Sequence, residues 1–117
     1  MISTAWDYAK FCQMFLNGGT YDGKKILKPE SVAAATSAQT QSIYSKEQRR
    51  TMRSFYGLGW SVRPDGVFSH GGSDGTFAWV DPNSKIVGLV FTQSPGGRIP
   101  VQQFMKVVEA AIYQTGP

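Results

Sequence analysis

The chain has 117 residues, 41% of them hydrophobic and 13% aromatic, which excludes intrinsic disorder and suits one domain or a piece of one, with roughly two-thirds of its unfolded surface to bury. No run approaches the roughly eighteen consecutive apolar residues of a membrane span, and the single cysteine, Cys12, excludes an internal disulfide and leaves the redox compartment open. A formal charge of +4 and a pI near 9.4 would suit a phosphate backbone, but no aromatic stacking signature, helix-turn-helix pattern or zinc-ligand set accompanies them, so no nucleic-acid partner is expected.

Ser3-Thr4-Ala5-Trp6-Asp7 opens the first predicted helix. Met1-Ile2 lead straight into it without the pattern of a signal peptide. Thr4 and Asp7 have the spacing of a capping box, in which the hydroxyl accepts from a free backbone N–H and the carboxylate faces the positive helix end. Tyr8, Phe11, Cys12 and Phe15 follow at i, i+3, i+4 and i+7 and define one buried stripe. Cys12 on that stripe reads as a structural thiol. Asn17-Gly18-Gly19 ends the helix, because glycine accepts the left-handed conformation of a C-terminal cap. Lys24 to Leu27 reads as a short strand or an extended link. Pro29 suits the first position of a second helix, running through Val32 and Ala33 to about Ser37. Gln39 to Ser54 is polar and weakly periodic and reads as a loop with one helical turn. Its cations, Lys46, Arg49, Arg50 and Arg53, read as solvated surface, as do Lys24 and Lys25.

The stretch from Val67 to Gln93 holds the only histidine, His70, in a glycine-dense turn followed by two strand patterns. Phe77, Trp79 and Asp81 alternate with Thr76, Ala78 and Val80. Ile86 to Phe91 is apolar on both faces, with Val87, Leu89 and Phe91 on one and Ile86 and Val90 on the other. Asp81-Pro82 suits the start of a type I turn, so the whole reads as a hairpin in a sheet covered on both sides. Ser94-Pro95-Gly96-Gly97 breaks structure. Pro100 then starts a last helix, with Val101, Phe104, Met105, Val108, Ala111 and Ile112 on the face that packs on the sheet. No internal repeat is visible.

Few catalytic constellations survive this inventory. One histidine and one distant cysteine cannot make a His-rich metal site, and no carboxylate pair has a recognisable motif, so neither metal nor cofactor is called for. The glycines of His70-Gly71-Gly72-Ser73-Asp74-Gly75 fit no phosphate loop. A triad of Ser73, His70 and Asp74 is disfavoured, because neighbours along an extended strand point to opposite faces. His70 beside two glycines, taken by itself, reads more readily as a structural residue than as a functional one.

In order, however, His70-Gly71-Gly72, Gly75-Thr76, Trp79-Val80-Asp81-Pro82 and the hydrophobic strand ending at Gln93 resemble the third motif region of the serine β-lactamase and penicillin-binding-protein superfamily. The resemblance is closest to the class C-like branch of β-lactamases, D-amino-acid-acting peptidases and esterases, where a Lys- or His-x-Gly triplet lies on the strand lining the active site. The opening helix, with Leu16-Asn17-Gly18-Gly19, Asp22-Gly23-Lys24 and Ile26-Leu27-Lys28-Pro29-Glu30-Ser31-Val32, is similar to the helix and loop that precede the last strands of that branch. Tyr56-Gly57-Leu58-Gly59-Trp60-Ser61-Val62 is similar to its strand leading into the active-site strand. Nearly the whole chain is covered, but only by the carboxy-terminal part of the family's fold.

Family enzymes acylate a serine that opens a Ser-x-x-Lys turn, where the lysine can take the hydroxyl proton. No serine of this chain has lysine three positions on, and no Tyr-x-Asn or Tyr-x-Ser follows Tyr8, Tyr21, Tyr44, Tyr56 or Tyr113. Both motifs would lie upstream of Met1. The resemblance therefore implies one wall of an active site without its reacting group, inactive alone. In that wall His70 takes the Lys/His position, where a ring nitrogen would hydrogen-bond the substrate or the absent tyrosine. The backbone N–H of Ser73 matches the second oxyanion-hole donor, and Gly71 and Gly72 leave the strand bare for a substrate backbone. Histidine at position 70 weakens the case for β-lactam carboxylate recognition and leaves ester or D-peptide hydrolysis at least as strong an expectation.

The expected architecture is α+β: an antiparallel sheet of about four strands with flanking helices, resembling the C-terminal part of the β-lactamase and transpeptidase fold. It forms a single partial domain over 1–117, with a helix-and-loop part (1–55), the strands (56–93) and a C-terminal helix (99–114). The expected partners are a small-molecule ester, amide or D-peptide substrate, if an upstream portion completes the site, and a second copy of the chain. In the family the last strand pairs with amino-terminal strands, so Ile86 to Phe91 would be left as an uncovered edge able to form a homodimer. The alternative is a noncatalytic binding or assembly module derived from the same fold.

Overall fold

Thr4 caps the first helix, its Oγ1 accepting the Asp7 N–H at 3.1 Å. In this computed structural model, which describes residues 2–94 and 100–114, helix α1 runs Ala5–Leu16. The Asp7 carboxylate accepts from the Thr4 hydroxyl and from Lys10, each at 3.0 Å. At the other end the Gly18 and Gly19 N–H groups reach the Phe15 and Met14 carbonyls at 3.0 and 2.9 Å. This is a Schellman cap, and Gly18 supplies its left-handed φ of 66°. The buried stripe differs from the expected one: Met14 is buried with Cys12 and Phe15, while Phe11 is 43% exposed and stacks along Trp60. The helix is covered on two sides, by the sheet and by the small hairpin that follows it, so a single stripe does not describe its buried surface.

That hairpin pairs β1 (Thr20–Tyr21) with β2 (Lys24–Lys25), turning through left-handed Asp22 and Gly23. Helix α2 spans Pro29–Ala35, with proline in its first turn. It stops short of Ser37, where the Thr36 and Ser37 hydroxyls turn back onto the Val32 and Ala34 carbonyls. The segment expected to be loop holds more structure: a 3-10 turn over Gln39–Ile43 and helix α3 over Lys46–Thr51. Ser45 and Gln48 cap α3 reciprocally at 3.2 and 2.9 Å. Since α3 buries no residue, it has no apolar period to betray it.

The remaining strands are β3 (Phe55–Tyr56), β4 (Ser61–Val62), β5 (Phe68–Gly71), β6 (Phe77–Asp81) and β7 (Ile86–Val90). They form one antiparallel meander in the order β3-β4-β5-β6-β7. Five strands stand where about four were expected, because Tyr56 to Val62 is not one strand. The chain reverses between Gly57 and Trp60, with the Gly57 N–H on the Trp60 carbonyl at 2.7 Å. Gly57 also packs so tightly that a Cβ there would lie 2.1 Å from the Ala35 carbonyl oxygen.

Strand alternation divides the core into two layers. Ala78 and Val80 join Cys12, Phe15, Val62 and Phe68 beneath α1. On the opposite face Trp79 joins Val67 and Met105 beneath helix α4 (Val101–Gln114). Val87 and Leu89 pack on the first cluster and Val90 on the second, so the sheet is covered on both sides as its apolar strand implied. The stripe on α4 is covered only in part: Met105 is buried, whereas Phe104 and Ile112 are 46% and 38% exposed. Of the predicted break at Ser94-Pro95-Gly96-Gly97, residues 95–97 lie outside the described residues, as does position 99 at the expected start of the last helix. Strand β7 ends the sheet, with no further strand beside it among the described residues.

Candidate functional site

Strand β5 carries His70 and Gly71 to the end of its pairing with β6, opposite Ala78 and Phe77. The chain then turns over Gly72–Gly75, closed by the Gly75 N–H on the Gly72 carbonyl at 3.3 Å. Gly75 supplies a φ of 89°. The turn is tied to the far side of the sheet, since the Ser94 N–H donates to the Asp74 carbonyl at 2.9 Å and the Thr92 hydroxyl to the Gly75 carbonyl at 3.0 Å. Two grooves flank this corner. One, of about 550 Å³, opens towards α4 and includes Arg53, Tyr56, His70, Phe77 and Lys106. The other, of about 840 Å³, opens towards the start of α1 and includes Tyr8, His70, Gly72, Thr76 and Phe91. His70 and Gly71 line both.

The four residues singled out in the sequence are contiguous and all exposed. Their local surroundings differ. Gly71 and His70 are in the strand, whereas Gly72 and Ser73 belong to the turn, so Gly72 does not extend a bare strand surface. A Cβ at Gly71 would make ordinary contact with the Phe77 ring at 3.5 Å, but one at Gly72 would fall 2.3 Å from Thr76 Oγ1. A side chain at 72 would therefore require the Thr76 hydroxyl to rotate away. The Ser73 N–H donates to no group among the described residues. Ser73, His70 and Asp74 share no side-chain hydrogen bond among the described residues, and Ser73 and Asp74 sit on the turn. No triad forms, though for a reason of turn geometry and not of strand alternation.

Tyr56 was missed by sequence reasoning as a site residue. Its phenolic oxygen lies 2.6 Å from Nε2 of His70, with the two rings nearly edge-on at 75°. The available signal was Gly57-x-Gly59 between Phe55-Tyr56 and Ser61-Val62: a hairpin there places Tyr56 two strands from His70. The groove towards α4 is electropositive, with Arg53, Arg63 and Lys106 against Glu109. Arg63 is held by Asp65 and, at 4.0 Å, by Glu109.

Proton affinity is displaced at Tyr8, which lines the groove towards α1, and at Cys12 and Asp81. Burial pushes the Cys12 thiol up to about 11, and burial followed by the neighbouring Cys12 raises Tyr8. Asp81 is pushed up by burial, but hydrogen bonds from Ser84 and Asn83 outweigh that and leave it below the ordinary aspartate range. Among the described residues no three His, Cys, Asp or Glu side chains gather as metal ligands. No helix among them is long and apolar enough to cross a membrane.

A model of the Beta-lactamase family matches residues 1–111. Two proteins of Mycobacterium tuberculosis are similar as well. They are "Uncharacterized protein MT1414" of strain CDC 1551 / Oshkosh and "Protein Rv1367c" of strain ATCC 25618 / H37Rv. Each is 31% identical over 111 residues, covering 78% of this chain and 27% of the relative. The chain thus spans about a quarter of the length of these relatives.

Proposed function

Because the chain belongs to the Beta-lactamase family, we propose that its serine-hydrolase-like fold supplies one wall of a class C-like active site acting on an ester, an amide or a D-peptide. The observation that carries the proposal is the exposed corner His70-Gly71-Gly72-Ser73, where a polar ring and an uncommitted backbone N–H stand beside two open grooves. His70 addresses the substrate or the proton path, and the Ser73 N–H is one oxyanion-hole donor, able to stabilise charge that develops on a carbonyl oxygen. Gly71 leaves the wall open to a substrate backbone. The nucleophile and its base belong to a preceding portion of a longer protein, of the kind the relatives' greater length suggests.

The test is direct. The purified chain is expected to leave a chromogenic ester and a chromogenic β-lactam intact and to take no fluorophosphonate label. Combined with a preceding portion that carries Ser-x-x-Lys, it should become a labelled, active hydrolase. A burst of product from the chain alone would overturn the division of labour. A completed protein that folds and binds but never turns over would favour the binding-module reading.

A further inference from the structure

We propose that Tyr56 is a positioning residue: its hydroxyl donates to Nε2 of His70, fixes the neutral ring as the Nδ1–H tautomer, and so presents His70 to its surroundings as a hydrogen-bond donor and not as a base. Three observations carry this. The first is the distance, 2.6 Å from Nε2 to the phenolic oxygen, with the rings at 75°. That arrangement brings the hydroxyl to the edge of the imidazole, where the nitrogen lone pair lies.

The second is acid–base order. A bridging proton belongs on one of the two atoms, and phenol is a far stronger acid than a neutral imidazole N–H, while imidazole nitrogen is a far stronger base than phenolic oxygen. The bond is therefore O–H···Nε2. The ring keeps its own proton on Nδ1, since which nitrogen carries it is set by the bond the other one makes.

The third is that Tyr56 is held in place. Its backbone N–H donates to Thr40 Oγ1 at 2.8 Å, it pairs with Ser61 across the β3–β4 hairpin, and Gly57 is wedged against Ala35. Nδ1 has no partner among the described residues, and the ring lines both grooves.

With Nε2 engaged, Nδ1 is the one ring atom left to meet a ligand. It can donate to a carbonyl, an oxyanion or a second hydroxyl, and it cannot take a proton. This deepens the proposed role of His70 and rests on that reading for its functional meaning. The tautomer itself does not depend on it.

The experiment uses the full chain, labelled with 15N, in long-range proton–nitrogen spectra under alkaline conditions that hold the ring neutral. Nδ1 should resonate at the protonated, pyrrole-type position and Nε2 at the bare, pyridine-type position. Tyr56→Phe removes one oxygen from a side chain already 42% exposed. It should return the ring to the Nε2–H form that free imidazole side chains favour, so the two signals exchange positions, while the methyl spectrum confirms the fold. A wild-type ring found mainly as Nε2–H overturns the proposal, as does a folded Tyr56→Phe chain with unchanged nitrogen shifts. If that variant does not fold, the wild-type shifts decide alone. Because nothing here reads turnover, an inert completed enzyme would remove the catalytic reading and leave the tautomer result standing.

Discussion

The indole of Trp79 lies across Gly88, its register partner on β7, so closely that a Cβ at position 88 would fall 2.1 Å from the ring. Trp79 is fully buried, and Phe104 of α4 meets it edge-on at 5.9 Å. Gly88 is therefore the space that lets the largest buried side chain fill the layer between sheet and helix. Gly88→Ala should overpack that layer and cost about 1–3 kcal/mol. Urea unfolding followed by tryptophan fluorescence would show a lower midpoint at unchanged slope. An unmoved midpoint would mean that the indole has room to shift.

The second prediction concerns acid. Burial works to raise Asp81, but the donors at Asn83 and Ser84 prevail and hold it below the ordinary aspartate value of about 3.9. A depressed folded value means stability that is fully present above that reference and is lost as pH falls through the folded value. Asp81→Asn should flatten the acid limb of the stability curve below about pH 4. It should also loosen the β6–β7 turn at neutral pH, by about 1–3 kcal/mol. Equal acid limbs for the two proteins would sink the assignment.

At Cys12 the sign reverses. Its folded value, about 11, lies above the unfolded thiol near 8.5. The stability linked to it is complete below the unfolded value and falls as pH rises towards 11. The fully buried thiol should resist a disulfide reagent at about pH 8, where its thiolate fraction is small, and react at once when the chain is unfolded. Prompt reaction of the folded chain would show that α1 opens locally.

How much of this was legible in the sequence depends on where each element buries itself. The first helix announced its cap through Thr4 and Asp7, and β7 announced two covered faces through Ile86 against Val87. Helix α3 buries nothing, so only Ser45 and Gln48 marked it. The reversal at Gly57 to Trp60 was hidden because its flanking pairs, Phe55-Tyr56 and Ser61-Val62, are too short to alternate. That concealed the contact between Tyr56 and His70. The corner at His70 could be read from contiguous residues, whereas its partner required knowing which strands neighbour it.

A fourth prediction follows from β7 at the end of the sheet. Its five residues are all half-buried and carry no charge, and an edge with no strand beside it among the described residues is a template for another strand. The isolated chain is expected to form a two-fold dimer through it. Sedimentation at rising concentration should show the mass doubling. A chain that stays monomeric throughout would remove the homodimer, and loss of the dimer on adding a preceding portion of the protein would show that the same edge serves both.

The last prediction separates side chain from backbone at Ser73, the proposed oxyanion-hole donor, in a protein completed with the nucleophile. Ser73→Ala keeps the main-chain N–H and should leave turnover nearly unchanged. Ser73→Pro removes the N–H at the second position of the Gly72–Gly75 turn, a place that proline tolerates, so the fold should survive circular dichroism. Losing one oxyanion-hole donor should then cost roughly 10²–10³ in rate. His70→Ala should also lower turnover, because the ring proposed to address the substrate or the proton path is lost. A folded Ser73→Pro enzyme with near-normal turnover would show that the donor lies elsewhere. An equally severe loss for Ser73→Ala would transfer the role to the hydroxyl, which in this structure stands exposed on the turn.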